Sequence, residues 1–301
     1  MRTLVKTLFI LALSTPTLAG TTSVSDPRNP VFTTDQELSF RIDASGHQIV
    51  LGSFVKGGIG EEKYESHALL NIKVIKTNVS STTLRWTYDH LAIEFESPVD
   101  PRRFDSDQPI EQDKKGNKYS RAFSKVVRPV VGSPITVELN ADREVVAVSG
   151  NSELMPTADP LHSGWLMPLI GTDGIKTMVN TLFVLGTDKN TLNNGDRWSK
   201  SIRSEAPMIG EMETKIDHKL LATTENEAII ATTSTLNVIA DNKDSPLALV
   251  IDYQRNFSLL RWDLNADRAH SVETHSVFSS SLASGAGRFI VTFMQRISAV
   301  E

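Results

Sequence analysis

The sequence predicts a mainly β chain of two related antiparallel halves, curved sheets forming a sandwich or an incomplete barrel, joined by a central helical segment. Three observations predict it. The stretch Glu138-Leu139-Asn140-Ala141-Asp142-Arg143 returns as Asp263-Leu264-Asn265-Ala266-Asp267-Arg268, 125 positions later. Upstream of each copy the apolar residues share one register, Ile135, Val137 and Leu139 against Leu260, Trp262 and Leu264. With polar residues between them, each run has the alternation of a half-buried strand entering a turn. Finally, only one long region, Glu153 to Leu185, carries helical spacing.

Residues 1–19 have the layout of a secretory signal: Arg2 and Lys6, an apolar run from Leu8 to Leu13, and Thr17-Leu18-Ala19 before the cut. The apolar run is too short to cross a bilayer as a helix, and no later segment holds about 20 continuous apolar residues. The expected location is therefore the periplasm or the extracellular space. There is no cysteine, which removes disulfides, thiolate metal sites and a cysteine-linked lipid anchor. Exported chains without disulfides are common in a bacterial periplasm. Removing Arg2 and Lys6 takes Lys+Arg from 31 to 29 against 36 Asp+Glu, so the net charge moves from −5 to −7. Nucleic acid is thus not an expected partner.

Residues 20–35, rich in Thr, Ser and Pro, read as a flexible leader. A single β-rich domain then spans 36–301, with halves 36–150 and 195–301 around a helical linker 151–190. Glu37 to Arg41 and His47 to Leu51 are strand-like, separated by Asp43-Ala44-Ser45-Gly46, which has the composition of a turn. Gly57-Gly58-Ile59-Gly60 reads as a loop. It is no dinucleotide fingerprint, because Glu61-Glu62 would put carboxylates where phosphates belong. Gly171 to Thr177 lacks the Gly-Lys pair of a phosphate loop and reads as a helix start.

A long hairpin follows. Leu70, Ile72 and Val74 alternate, Thr77 to Ser81 turns, and Leu84, Trp86 and Tyr88 return. Leu91, Ile93 and Phe95 then change parity, so one residue must be absorbed near Asp89-His90 as a bulge or a break. Pro98 to Gly116 reads as a solvated loop. Ser120 can cap a short helix carrying Phe123, Val126, Val127 and Val130, ended by Pro129. After the first anchor strand and its turn, a strand is expected from Glu144 to Ser149. Glycine is the expected residue where such turns go left-handed, yet Arg143 and Arg268 occupy the place.

In the linker, Thr172 or Asp173 can cap a helix bearing Ile175, Met178, Val179, Leu182 and Leu185 on one side, with Gly186 as its stop. Such a helix plugs a core or covers a cavity, and plugs are the common case. The second half restarts at Gly195-Asp196-Arg197-Trp198. It continues as a hairpin of Glu213 to Ala222 and Ala228 to Val238, a strand from Leu247 to Tyr253, the second anchor, a strand from Arg268 to Phe278, and a terminal strand holding Phe289, Val291, Phe293 and Ile297.

No catalytic constellation emerges. Gly-x-Ser-x-Gly and His-Glu-x-x-His are both absent. The seven histidines are scattered; His162 near Trp165 is the most site-like, and His270 and His275 fall on opposite strand faces. The expectation is a non-catalytic module without cofactor or metal, binding an unknown protein partner or serving a structural role. The alternative is a carrier of an apolar, lipid-like molecule in a cavity covered by helix 173–185. Its lining would be Trp165, Ile175, Met178, Val179, Leu182, Trp198 and Trp262.

The signal segment, the helix-then-strand block Ala122 to Gly150 and the Gly195-Asp196-Arg197-Trp198 start resemble a family of secreted bacterial β-rich proteins known only as a domain of unknown function. The likeness covers roughly residues 36–280. Arg143 and Arg268 depart from the glycine expected in that family's turn. The resemblance implies a β-rich fold and supplies no functional residues.

Overall fold

Alternating buried and exposed side chains run through almost every strand, and strands make up 64% of the described residues. A computed structural model describes residues 32–52, 58–98, 100–111, 116–154, 168–187, 192–206, 210–241, 249–282 and 284–300. The signal segment lies outside the described residues, as do most of the leader, Trp165 and His162. The strands are β1 (Glu37–Gly52), β2 (Ile59–Thr77), β3 (Ser81–Glu96), β4 (Arg102–Asp105), β5 (Ile135–Asn140), β6 (Val145–Ser149), β7 (Arg197–Ala206), β8 (Gly210–Thr223), β9 (Glu227–Asp241), β10 (Leu249–Asp263), β11 (Arg268–Leu282) and β12 (Gly287–Val300). Helix α1 (Lys118–Val127) lies between β4 and β5 and α2 (Thr172–Phe183) between β6 and β7, with a 3-10 turn at Arg128–Val130.

All strands join one open antiparallel sheet in the order β6-β5-β3-β2-β1-β12-β11-β10-β9-β8-β7, with β4 added to β3. The two halves are therefore not the facing sheets of a sandwich. Each is a five-strand meander, β1-β2-β3-β5-β6 and β7-β8-β9-β10-β11, and β12 joins the start of the first to the end of the second.

The duplication extends to the start of each half, where the Gly195-Asp196-Arg197-Trp198 start is expected opposite the strand at Leu38 to Arg41. Asp35 and Gly195 both have left-handed backbones, φ 64° and 93°. Asp35 N–H donates to Val74 O while Val74 N–H donates to Gln36 O; Gly195 N–H donates to Leu220 O while Leu220 N–H donates to Asp196 O. The same hydrogen-bond grid thus opens both halves, with Leu38 and Trp198 in matching places.

Several expectations are corrected. Asp43-Ala44-Ser45-Gly46 is no turn: β1 runs through it, because pairing to β2 and β12 on both sides satisfies its backbone. Ile59 and Gly60 belong to β2, leaving Gly58 at φ 79° as the described part of that loop. The charged segment after Pro98 contains β4, whose Arg102 is 1% exposed. The burial is possible because Arg102 Nη2 lies 2.6 Å from Glu62 Oε1 and its guanidinium covers the Phe95 ring at 4.3 Å. Asn117, not Ser120, caps α1, accepting from the N–H groups of Tyr119 and Ser120. Neither Thr172 nor Asp173 caps α2; its N-cap is Gly171, without a side-chain bond. The leader is docked at its end, since Phe32 is 4% exposed against Phe183, with ring centroids 5.1 Å apart. The Asp89-His90 bulge is present: Leu69 pairs His90 and Leu70 pairs Tyr88, leaving Asp89 as the extra residue.

The two anchor turns meet. Arg143, at φ 63°, donates to Asp267 Oδ2 at 2.5 Å, to Asp267 O at 3.3 Å and to Phe183 O at 2.6 Å. Trp262 Nε1 donates to Asp267 Oδ1 at 3.1 Å. Between β5 and β11 lie five strand spacings, about 24 Å along a flat sheet. A direct hydrogen bond across that span requires the sheet to be rolled at this end. The roll goes further, because Glu144 beside β6 is within electrostatic reach of Lys200 on β7, at the opposite edge. The shape is an incomplete barrel, and α2 fills the rolled end. The left-handed residue of the second turn is Asp267, φ 49°, while Arg268 is in β11 opposite Asp263, which corrects the expectation for Arg268.

Candidate binding wall

Strand periodicity puts residues i and i+2 on one face. On β8 to β12 that rule assembles a buried polar row on the inner face, between apolar layers. His218 Nδ1 and Thr232 Oγ1 lie 3.0 Å apart, Asn256 Nδ2 donates to Ser234 Oγ at 3.0 Å, and the hydroxyls of Ser258 and Thr274 stand 2.9 Å apart. Leu220, Ile230, Leu260, Val272 and Ile297 form the layer towards the anchor turns, and Met212, Phe278, Val291 and Phe289 lie on the other side.

On the side away from the anchor turns the row is unsatisfied. Ser276 is 5% exposed and Ser280 0%, yet neither Oγ has a hydrogen-bond partner among the described residues; Gln254 Oε1 is in the same position. Register places Ser276 beside Phe293, Ser280 beside Phe289, and Gln254 opposite Phe278. Each such atom left unpaired costs about 1–3 kcal/mol, so three on one wall call for a partner.

At the β7 end, Trp198 stacks on His218 with centroids 5.1 Å apart and planes at 20°. Its Nε1 is also buried without a partner among the described residues. Burial drives the His218 imidazole down to about 4; Lys200 pushes the same way and Asp217 opposes. His218 is therefore neutral at physiological pH. Trp198, His218 and their strand neighbours border an open groove of about 580 Å³ that also includes Arg197, Lys215, Lys219 and Thr233. A second cavity, about 340 Å³, lies between β4 and α1.

Of the residues expected to line a ligand, Ile175, Val179, Leu182 and Trp262 are 0% exposed and Met178 7%, all in the packed core. None borders either described cavity. Trp262 stands at the clasp, hydrogen-bonded to Asp267. Trp198 is brought to the edge of the polar row, stacked on His218. The orphaned serines were missed, although the alternation of Ser276, Phe278 and Ser280 was readable.

Fold and wall together define an open, rolled β-sheet protein with a mixed polar and apolar inner face. The chain belongs to a family of unknown function (DUF6263), whose profile matches residues 79–250. That match contains the Ala122 to Gly150 block and the Gly195-Asp196-Arg197-Trp198 start. No curated protein matches the sequence. Among solved structures, the chain is similar to lipovitellin, in a structure concerning its lipid–protein interactions, at 12% identity and TM-score 0.48. The alignment covers 90% of this chain and 25% of lipovitellin, so the chain spans about a quarter of that protein's length. It is also similar to an outer membrane channel from Pseudomonas putida F1, at 8% identity, 93% and 100% coverage and TM-score 0.21. The translocator domain of the autotransporter NalP from Neisseria meningitidis aligns at 7% identity, 91% coverage of both chains and TM-score 0.25. All three scores lie below 0.5, and no function is carried over from them. No helix among the described residues is long and apolar enough to cross a membrane.

Proposed function

We propose that the protein is an exported, non-catalytic binding module whose ligand is an amphipathic small molecule held at the inner wall of β10 to β12. One observation carries the reading: the unpaired buried atoms Ser276 Oγ, Ser280 Oγ and Gln254 Oε1 lie among Phe278, Phe289 and Phe293. Two hydroxyls and a carbonyl set among aromatic rings suit a ligand with an apolar body and a few hydrogen-bonding groups. The wall is a different set of residues from the stripe expected under α2.

Native mass spectrometry of the mature chain, purified from an exporting host without detergent, tests it. The expected result is an excess mass that solvent extraction removes and that the Ser276→Ala/Ser280→Ala double variant no longer retains. A clean sequence mass for wild type, together with a double variant more stable than wild type, overturns the proposal, since the hydroxyls would then be plain unsatisfied groups.

A further inference from the structure

We infer that His90, Asp105 and Asp107 form a binding site for a divalent cation of the zinc class. The site is assembled from two distant pieces of chain. The β3 bulge at Asp89 re-aims His90, and the end of β4 docks beside it: Ser106 N–H donates to Leu91 O at 3.0 Å and Leu91 N–H donates to Ser106 Oγ at 3.1 Å. As a result one ring nitrogen, His90 Nδ1, faces Asp107 Oδ1 at 3.1 Å and Ser106 Oγ at 3.0 Å. One ligand atom from each of His90, Asp105 and Asp107 lies within 4.8 Å of the others.

Hydrogen bonding satisfies the ring in either tautomer but leaves the carboxylates uncompensated. If the neutral ring carries its proton on Nε2, Nδ1 accepts from the Ser106 hydroxyl and still faces the Asp107 oxygen at 3.1 Å. If the proton sits on Nδ1, it serves one oxygen, and an Asp105 oxygen stays within 4.8 Å of Asp107. A cation shared by the three groups offsets both carboxylate charges. Ligands at about 2.0–2.1 Å around a tetrahedral zinc stand roughly 3.3 Å apart, close to the His90–Asp107 separation. The Asp105 ligand atom lies within 4.8 Å of the other two and would close by up to about 1.5 Å to complete the set. Asp105 Oδ1 accepts the Asp107 N–H at 3.0 Å, which fixes the two carboxylates in one turn. One imidazole with two carboxylates favours zinc, manganese or a similar ion over magnesium, which prefers oxygen and water alone. Access is open, because Asp105 also borders the cavity between β4 and α1, and Asp107 is exposed. The other described imidazole–carboxylate contacts, His47–Glu61, His67–Asp43 and His275–Glu273, are pairs and lack a third ligand.

The test is calorimetric titration of Zn²⁺ into the chelator-treated mature chain, repeated with His90→Gln and Asp107→Asn. One bound ion per chain is expected, with affinity falling at least about tenfold in either variant. Mg²⁺ should produce no comparable heat. Each variant is checked by circular dichroism, and Co²⁺ visible absorption gives a second readout, expected for wild type and absent from His90→Gln. No Zn²⁺ heat up to millimolar concentration, or equal affinity in both folded variants, overturns the inference.

Discussion

Removing the Arg143 guanidinium should unroll one end of the sheet. Its side chain is 7% exposed and Asp267's 13%, and the three hydrogen bonds it donates end on Phe183 O, Asp267 O and the Asp267 carboxylate. Arg143→Ala takes the guanidinium from that carboxylate and leaves it only neutral donors such as Trp262 Nε1, a loss worth about 3–5 kcal/mol. At about 2 °C per kcal/mol for a chain of this length, Tm falls by roughly 6–10 °C. The backbone separates this cost from strain: at φ 63°, Arg143→Gly gains left-handed freedom and should be about 1 kcal/mol less harmful than Arg143→Ala. Urea unfolding of wild type, Arg143→Ala, Asp267→Asn and the double variant closes the cycle. Asp267→Asn keeps an oxygen for Trp262 Nε1 but removes the charge, so a coupling of about 1.5 kcal/mol or more is expected. A loss below about 1 kcal/mol for Arg143→Ala, or additive single effects, would refute the clasp as the bond that holds the roll.

Three further outcomes are expected. His218 has an ordinary value of 6.5 and is held at about 4 in the fold, so its contribution is complete above pH 6.5 and is lost as pH falls towards 4. Between pH 7 and 4.5 wild type should lose up to about 3 kcal/mol more than His218→Gln in urea unfolding, and equal slopes would reject the burial argument. Arg102→Met removes the guanidinium bonded to the buried Glu62 carboxylate and should cost about 3–5 kcal/mol, whereas Arg102→Met/Glu62→Leu should return to within about 1–2 kcal/mol of wild type by thermal unfolding. Phe32→Ala should cost about 3 kcal/mol of denaturant stability through lost packing on Phe183; no change would restore Phe32 to a free leader.

Where the sequence succeeded, side-chain period was the reason. Leu84, Trp86 and Tyr88 change parity against Leu91, Ile93 and Phe95, and only an extra residue keeps both sets inside, so Asp89-His90 announced its own bulge. Where it failed, the deciding partner was distant. Asp43 has turn chemistry, yet in β1 its carboxylate serves Arg41 and His67; burial raises its pKa, but those bonds outweigh it and hold the group below the usual range. Arg102 reads as solvated until Glu62 on β2 is placed against it. The inner wall is a third kind of case: Ser276, Phe278 and Ser280 share one face by period two, but Ser279 and Ser281 give the other face the same polarity. Composition could not say which side turned inward.

Arg143 was the residue without a local explanation, and its reason is the duplication itself. The two anchor hexapeptides are near copies, but the first turn closes Asn140 on Glu144 over the three residues 141–143 while the second closes Asp263 on Arg268 over the four residues 264–267. The left-handed position therefore falls on Arg143 in one copy and on Asp267 in the other. Equivalent sequence positions acquire opposite roles: Arg143 projects from its turn as a donor, while Arg268 is absorbed into β11 and its neighbour Asp267 becomes the acceptor. Two turns in identical register would present the same residue to each other, arginine to arginine or aspartate to aspartate, and repel. The one-residue offset makes the copies complementary. Because this bond joins the β5–β6 turn to the β10–β11 turn rather than β6 to β7, it rolls the sheet without closing it. The outer strands are left as edges of one incomplete barrel.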